Sequence, residues 1–398
     1  MFPEILFFLL IGVTLGVIAG LVPGLHPNTI AFLLLSISSL LGIRVMNLIA
    51  ILVSSEITNS FMDFIPSILF SAPEEATALS ILPGQRFLLS GRAYEAIYLT
   101  VYGGLISIIV IALLFPMFII LIPVIYSFVK PAIVVLLLLT IVYLFYSQKK
   151  NRFPSLLVFV FSALLGLLIF KLPLSGCEVL FPAFCGLFGL SSLFDASSKT
   201  EIPEQEIDIN LEDCSGKKSS IVGIFSGMVA GLLPGVGSSQ VTVMSQQLFK
   251  INNLKDFMIS IGGITTAGSL FSIVALWTIG NPRSGTSVAI QSLNFECTLT
   301  ALFIILFMII ISAGMASILT LFFSKILIRN IYKIRYNVLT KSIFGLLFIL
   351  VGVFTGWIGI IIAITGLAIG IYCIKTGVRR SFMMGVLLVP TVLILAGV

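Results

Sequence analysis

The sequence predicts an all-α polytopic membrane protein of two inverted-topology repeats, each a Pro-Gly-broken helical hairpin followed by about five transmembrane helices. Of its 398 residues, 59% are hydrophobic and only 10% are charged, with a mean hydropathy of +1.20. In a soluble domain about a quarter of the residues are charged. Apolar runs long enough to cross about 30 Å of hydrocarbon as helices recur along the chain. A residue pattern from the first run also recurs near the middle of the chain.

The apolar runs predict helices, because only a helix satisfies its own backbone hydrogen bonds in lipid and a β-barrel needs alternating hydrophobicity. The runs of 17 or more residues are 5–22, 46–62, 97–122, 131–147, 153–170, 299–323 and 357–374. No Lys or Arg precedes the first run and no small-residue cleavage site follows it. We therefore interpret it as a helix of the fold and not as a signal peptide.

The first helical segment is interrupted near its middle. Residues 21–29 carry two prolines and a glycine within an otherwise apolar stretch. Proline and glycine cannot continue a helix without freeing backbone groups, so the helix is predicted to break there. We expect segment 5–42 to be a hairpin that enters and leaves the membrane on the same side.

The same pattern returns 211 residues later, with seven identities in thirteen positions. Gly12, Gly16, Ala19, Gly20, Leu21, Pro23 and Gly24 match Gly223, Gly227, Ala230, Gly231, Leu232, Pro234 and Gly235. A second match pairs Ile57-Thr58 and Ala72-Pro73 with Ile264-Thr265 and Asn281-Pro282. The chain is therefore predicted to be a tandem duplication, with an equivalent hairpin at 219–249.

This duplication divides the chain into a first transmembrane repeat, 1–194, a hydrophilic cytoplasmic linker, 195–218, and a second transmembrane repeat, 219–398. The linker carries seven acids and three lysines, a composition typical of a solvated segment. A hairpin plus five crossings per repeat inverts the second copy and leaves both termini outside. With the basic loop 149–152 in the cytoplasm, 18 of the 22 basic residues lie there, as the positive-inside rule predicts. The four left outside are Arg44, Lys130, Lys171 and Arg283.

The two hairpin tips are predicted to form a substrate site near the middle of the membrane. Freed backbone groups are tolerated there only against protein or a watery cavity. The half-helices that follow the tips begin near Asn28 and Ser238, and their positive ends favour an anion. A tightly packed Pro-Gly turn without a ligand is the alternative interpretation. The candidate substrate-binding residues are Pro23, Gly24, His26, Asn28, Thr29, Pro234, Gly235, Ser238, Ser239, Gln240, Asn281, Arg283, Ser284 and Thr286.

Each copy has a second break, at 71–77 and 280–287, that combines a proline with small hydroxyl residues. Carboxylates precede or occupy the first of them, and acids inside a membrane are costly and indicate an ion or proton pathway. Na⁺ or H⁺ is the expected coupling ion, and hydroxyl and amide oxygens nearby favour Na⁺. Acids at the membrane interface that reach water are the alternative. The candidate coupling-ion residues are Glu56, Thr58, Asn59, Asp63, Glu74, Glu75 and Thr77.

Other chemistries find little support in the residue pattern. His26 is the only histidine and the five cysteines form no CxxC pair, so neither a zinc site nor a metal cofactor is expected. A lone histidine is a structural residue or a proton relay. The net charge of +6 is explained by basic cytoplasmic loops and does not indicate nucleic acid binding.

Five motifs and Gly84 resemble the large membrane subunit (TctA type) of the tripartite tricarboxylate transporters. They are GLVPG at 20–24, APEEATAL at 72–79, GRAYEA at 91–96, AGLLPGVG at 230–237 and TIGNPRSGT at 278–286. The resemblance implies secondary transport of carboxylates across the plasma membrane, with a small membrane subunit and an extracytoplasmic binding protein as partners. The chain is a short, divergent example: Glu74-Glu75 and Asn281-Pro282-Arg283 stand where Pro-Gly pairs are usual. The extra acidic pair disfavours a trianion.

Three other classes remain as alternatives. A polyprenyl or lipid-phosphate translocase could use the same paired hairpins, and a second outside arginine near Arg283 would favour it, but none is nearby in the sequence. An intramembrane enzyme would need HExxH, paired aspartates in helices or a Ser/His set, none of which is present. A structural scaffold would not need symmetric helix breaks, which are costly in a membrane.

Overall fold

A computed structural model gives the fold of the described part of the chain. It describes residues 2–23, 25, 27–28, 30–31, 34–35, 42–72, 74, 76–148, 150–172, 176–195, 203–209, 214–233, 237–280, 283–293, 295, 298–331 and 336–396. All regular secondary structure within these ranges is helical, which confirms the all-α prediction.

The first half begins with a long helix, followed by a helical segment between residues 27 and 35 that is called here the return after α1. The described residues between 27 and 35 are helical, and a 3-10 turn, Ala78–Ser80, and a π-helical turn, Cys185–Leu190, join later helices. The helices of this half are α1 Phe2–Leu21, α2 Val45–Met62, α3 Phe64–Phe70, α4 Ile81–Leu89, α5 Ala93–Leu113, α6 Phe115–Ser147, α7 Arg152–Ile169, α8 Gly176–Phe184 and α9 Ser191–Asp195.

The second half follows a similar order. Its helices are α10 Gly216–Leu232, α11 Ser238–Leu248, α12 Leu254–Thr278, α13 Gly285–Ser292, α14 Leu299–Ile331, α15 Tyr336–Lys375 and α16 Gly385–Ala396. A 3-10 turn, Arg380–Met384, precedes α16. The predicted second hairpin thus corresponds to α10 and α11.

Among the described residues, seven helices are long and apolar enough to cross a membrane, or eight if the two arms of α6, bent by 70°, count as one span. The sequence predicted about five crossings per repeat. Fewer spans are described than were predicted, partly because α15 counts as one span. Its 40 residues would extend about 60 Å, twice the hydrocarbon thickness. Gly356 interrupts this helix with a φ of 63°. Apolar side chains face outward on the bundle, with Leu113 75% and Ile120 74% exposed.

Helices α1 and α2 pack closely and run parallel, because Gly12 lies against Ser54 and Gly16 lies against Thr58. A Cβ on Gly16 would lie only 2.6 Å from the Cβ of Thr58. Small residues that let helix backbones approach are typical of packing in membranes. The described return after α1 and the parallel start of α2 together agree with a hairpin at the N-terminal end.

Helices α10 and α12 repeat this arrangement. Gly223 lies against Gly263 and Gly227 lies against Ala267, where a Cβ on Gly227 would be 2.6 Å from the Cβ of Ala267. Gly12 and Gly223 are equivalent in the duplication, so the residues that they contact, Ser54 on α2 and Gly263 on α12, are equivalent as well. Residues of α2 therefore correspond to residues of α12 that lie 209 positions later.

The register of 209 residues differs by two from the Ile57-Thr58 match to Ile264-Thr265. A two-residue match between apolar helices carries little information, which explains the difference. The contact register agrees with the match of Ala72-Pro73 to Asn281-Pro282. It therefore also makes Glu74 the counterpart of Arg283.

Helices α5 and α14 occupy equivalent places in the two halves and lie antiparallel. At the start of α5, the Tyr94 ring lies 5.4 Å from the ammonium of Lys325, near the end of α14. Beyond the other end of α5, the Phe115 ring lies 5.9 Å from Phe303, near the start of α14. Two contacts at opposite ends fix the relative direction of the two helices.

One end of the bundle gathers the start of α5, the start of α12 and part of the linker. The buried carboxylate of Glu95 pairs with Arg92 and, at 3.3 Å, with Lys255. In the described part of the linker, 203–209, the backbone N–H of Glu206 donates to the Gly91 carbonyl at 2.8 Å. The described linker residues are therefore docked on the turn between α4 and α5.

Candidate functional site

A cavity of about 300 Å³ lies between the two halves, where both hairpins and both second breaks meet. The segments that line it are the return after α1, the middle of α2, the break after α3, parts of α8 and α15, the end of α10, the start of α11, the middle of α12 and the start of α13. Eight residues predicted as candidates from the sequence line it: Asn28, Glu56, Asn59, Asp63, Glu74, Ser238, Arg283 and Ser284.

Asn28 joins the first hairpin to the second break of the other half. Its side-chain oxygen accepts a hydrogen bond from the backbone N–H of Thr286 at 3.1 Å. Gly285 leaves room for this contact, since a Cβ there would lie 2.6 Å from the Asn28 side chain. The amide thus satisfies one of the free N–H groups at the start of α13, as an N-terminal cap does.

Glu56 sits on the same junction from the α2 side. Its carboxylate accepts a hydrogen bond from the Thr286 hydroxyl at 2.7 Å and another from Ser269. Only 7% of Glu56 is exposed, so the charged form loses most of its hydration and depends on these donors. Thr286 is therefore a shared partner of Asn28 and Glu56.

Two further acids lie where α2 and α3 give way to the first break. Asp63 stands between these helices and accepts a hydrogen bond from the Thr77 hydroxyl at 3.4 Å. The Ser67 hydroxyl donates to the Thr77 oxygen at 2.6 Å, and the Glu74 N–H approaches the same oxygen at 3.3 Å. Thr77 is fully buried and holds the break against α3 without lining the cavity. Helix α3 itself ends at Ser71 in the left-handed conformation, with a φ of 52°.

Several buried oxygens near the cavity have no hydrogen-bond partner among the described residues. They are the hydroxyl oxygens of Ser55, Thr58 and Thr265 and the side-chain oxygen of Asn59. Buried polar atoms are nearly always satisfied by protein, water or an ion. Asn59 and Thr265 line the cavity directly, so oxygen ligands of the kind that bind hard cations are present beside the three acids.

Arg283 supplies the positive charge of the cavity wall. Its guanidinium donates to the Tyr126 hydroxyl at 2.8 Å and lies 5.4 Å from the centre of the Tyr126 ring. The Nε atom is buried without a hydrogen-bond partner in the described residues. Because Arg283 and Glu74 are equivalent in the contact register, the two second breaks bring opposite charges to one cavity.

The starts of two helices also face the cavity. Ser284 caps α13 by accepting from the Ser287 N–H at 3.1 Å, and Gly237 and Ser238 begin α11. Helix N-termini carry a partial positive charge and favour anions. Gly237, in addition, donates its N–H to the Gln240 side chain.

The remaining predicted residues fall into two groups. Those that the structure describes but that do not line the cavity are Pro23, Thr58, Thr77, Ser239, Gln240 and Thr286. Those that lie outside the described residues are Gly24, His26, Thr29, Glu75, Pro234, Gly235 and Asn281. Among the described residues no group of three or more His, Cys, Asp or Glu side chains is placed to hold a metal ion.

The sequence did not indicate the apolar side of the cavity. Phe181 of α8 and Phe354 of α15 line it, with their ring centroids 6.3 Å apart. Thr355 lies beside them and precedes the break at Gly356. In the sequence these aromatic residues look the same as lipid-facing ones. The available sign of this part of the site was Gly356, just before the run 357–374, because a glycine can break a helix.

The family match and the match to a relative both cover nearly the whole chain. The sequence profile of the tripartite tricarboxylate transporter TctA family matches residues 6–385. An uncharacterized protein of Methanocaldococcus jannaschii, MJ1079, is 31% identical over 396 residues, which cover 98% of each chain. No solved structure matches the chain.

Proposed function

Since the chain belongs to the tripartite tricarboxylate transporter TctA family, whose members are multi-pass membrane proteins of a transport system, we propose that it is the transport subunit of a secondary carrier for small organic carboxylates. The observation that carries this proposal is the cavity between the two halves, into which Arg283 and the starts of α11 and α13 bring positive charge. A small membrane subunit and an extracytoplasmic binding protein are the proposed partners.

The repeats are proposed to be inverted about the middle of the membrane. Antiparallel α5 and α14 support this arrangement. So does the meeting of Arg92, Lys255 and the linker at one end of the bundle, since the positive-inside rule assigns that end to the cytoplasm. In many secondary transporters such repeats place the substrate at their interface, near discontinuous helices.

The proposed substrate is a monocarboxylate or dicarboxylate and not a tricarboxylate. One arginine and three acids line the cavity among the described residues. A trianion would be repelled by Glu56, Asp63 and Glu74 unless several cations accompanied it. The same balance of charge disfavours a lipid phosphate in this cavity.

The coupling ion is proposed to bind on the acidic side of the cavity. Glu56 and Asp63, with the unpartnered oxygens of Asn59 and Thr265, offer an oxygen shell for Na⁺. A proton on one carboxylate would serve the same purpose. Accumulating an anion against a negative-inside potential requires such a cation, at about 2.3 kcal/mol per charge for each 100 mV.

Uptake into proteoliposomes tests the proposal. The purified chain, with and without the proposed partner subunits, is supplied with radiolabelled acetate, succinate or citrate under an imposed Na⁺ or H⁺ gradient. We expect gradient-driven uptake of succinate or acetate in preference to citrate. No carboxylate uptake under any of these conditions would contradict the proposal.

Arg283→Gln is the decisive variant, because it removes the positive side chain of the cavity while keeping hydrogen-bonding capacity. A hydrogen bond to a charged group contributes about 1.5–3 kcal/mol, so KM for the carboxylate should rise about ten- to one-hundred-fold. Arg44→Gln is the matched control, since the Arg44 side chain is 74% exposed and pairs with Glu4. A normally inserted Ser238→Leu, Ser239→Leu variant should also lose uptake, and wild-type kinetics in it would exclude the second hairpin tip from the site.

A further inference from the structure

A second cavity, of about 550 Å³, has a strongly positive lining and no role in the proposed function. Four basic residues line it, Arg86, Lys250, Arg379 and Arg380, together with four amide side chains. No acid is among its lining residues in the described part of the chain. The cations come from α4, from the turn after α11 and from the turn after α15, so both halves contribute.

This cavity adjoins the central one along two segments of the chain. Helix α11 begins at Ser238 in the wall of the central cavity and ends near Gln246 and Gln247 in the wall of the second. Ala76 lines the central cavity, whereas Ala78, two residues later, lines the second. The linings of the two cavities therefore adjoin at the first break, and about 12 Å of α11 connects them on the other side.

The positive-inside rule explains why basic residues lie at this end of the bundle, but it does not require them to face one cavity. Lys250 adopts a φ of 51°, a left-handed conformation that non-glycine residues rarely take. It occupies the position after the end of α11 where glycine is usual, and the Ile251 N–H closes the turn on the Gln246 carbonyl at 3.1 Å.

Lys250 is not needed there to neutralise the end of α11. The ammonium of Lys218 already donates to the Phe249 carbonyl at 3.2 Å. The side-chain oxygen of Gln247, which also lines the cavity, is buried without a hydrogen-bond partner in the described residues. The Gln247 oxygen is an acceptor and therefore needs a donor such as water. The preference for a ligand that bears negative charge comes from the four cations, which line the cavity without an acid among its described lining residues.

The geometry points to an anion-binding vestibule in this second cavity, where the transported carboxylate binds on the cytoplasmic side of the central site. The inference rests on the proposed function, which supplies the identity of the anion and the side of the membrane. Cations and amides that converge on a cavity concentrate anions locally, so the vestibule gives a carboxylate a binding step between the central cavity and the cytoplasm.

Binding can be measured without transport through a cysteine in the vestibule wall. Ser381 lines the cavity and is partly exposed, so Ser381→Cys is labelled with a neutral maleimide in phosphatidylcholine vesicles. We expect succinate to slow labelling at least three-fold. The protection should be lost when Arg86→Gln and Lys250→Gln are added, and it should persist with Arg283→Gln, which alters only the central cavity.

The matched control adds Lys217→Gln and Lys341→Gln to Ser381→Cys, because these exposed lysines belong to the same proposed face and do not line the cavity. It should keep full protection. The vestibule is excluded if succinate does not slow labelling, or if the Arg86, Lys250 double substitution leaves protection intact. Protection by phosphatidylglycerol and not by succinate would mean a lipid headgroup site and would also overturn the inference. Protection by succinate in a protein that transports no carboxylate would contradict the proposed function alone.

Discussion

Thr286 is the residue at which the two sides of the candidate site meet. Its N–H donates to Asn28, on the side that favours an anion, and its hydroxyl donates to Glu56, on the acidic side. A change in charge at Glu56 alters the Thr286 hydroxyl bond, because a carboxylate accepts more strongly than a carboxylic acid. The start of α13 thus connects the proposed coupling-ion site with the proposed substrate site.

Glu56→Gln should separate binding from coupling. The glutamine keeps the size of the side chain and an oxygen that can accept from Thr286, but it can neither take up a proton nor contribute a full charge to Na⁺ binding. Loss of one coupled charge at 100 mV is about 2.3 kcal/mol, which corresponds to about fifty-fold in accumulation. We expect gradient-driven accumulation to fall by about that factor while substrate exchange without a gradient changes less than about three-fold.

Glu4→Gln is the control for this measurement, since Glu4 pairs with Arg44 away from the cavity. Asp63→Asn and Glu74→Gln test the other described acids of the cavity wall in the same assay. Full accumulation in all three cavity variants would show that the coupling ion binds elsewhere.

At the scale of helices, apolar length and helix breakers predicted much of the structure. The run 46–62 corresponds to α2, and the break at 71–77 corresponds to the end of α3 and the left-handed Ser71. The run 97–122 does not correspond to one helix: α5 ends at Leu113 and α6 begins at Phe115. Apolar residues fill both helices across this junction, so hydropathy alone carries no sign of it.

Close packing of the helices depends on glycines whose role appears only in three dimensions. Gly227 is crowded by Ala267 on α12, whereas Gly314 on α14 has open space where a side chain would project. Both are helical glycines within apolar segments. The local sequence does not distinguish the two glycines, although only Gly227 lies at a tight interface.

Gly227→Val should therefore destabilise the protein and Gly314→Val should not. Overpacking costs about 1–3 kcal/mol, and in a chain of 398 residues each kcal/mol corresponds to about 1 °C of melting temperature, because the unfolding entropy grows with chain length. We expect the melting temperature in detergent to drop about 1–4 °C for Gly227→Val and to stay within about 0.5 °C for Gly314→Val. Equal shifts in the two variants would show that the α10–α12 contact is not a tight one.

Across the whole molecule, the two halves exchange partners. Helix α5 of the first half meets α12 of the second through Glu95 and Lys255, and α14 of the second meets α2 of the first through Thr320 and Met62. Each half thereby completes the packing of the other, and the central cavity forms between them. The duplicated breakers in the sequence made this interface a predictable place for a site.

The chemical asymmetry of the halves was predictable only in part. The acids of the first half were visible in the sequence, and the match of Ala72-Pro73 to Asn281-Pro282 paired Glu74 with Arg283, but the structure was needed to bring both side chains to one cavity. The residues that close the cavity, such as Phe181 and Phe354, come from segments outside the duplicated motifs. Long-range packing selects them, and no local pattern in the sequence records that selection.

The direction of the second repeat in the membrane is the property on which the proposed mechanism most depends. If the repeats are inverted, the central cavity between them can open first to one side of the membrane and then to the other. Parallel repeats would instead place basic loops on both faces of the membrane. The linker and Lys171 should then lie on opposite sides. In a variant whose five cysteines are replaced by serine, we expect Gly216→Cys to react with a membrane-impermeant maleimide only after cells are permeabilised, and Lys171→Cys to react in intact cells. Labelling of Gly216→Cys from outside, with or without labelling of Lys171→Cys, would mean that the inverted arrangement is wrong.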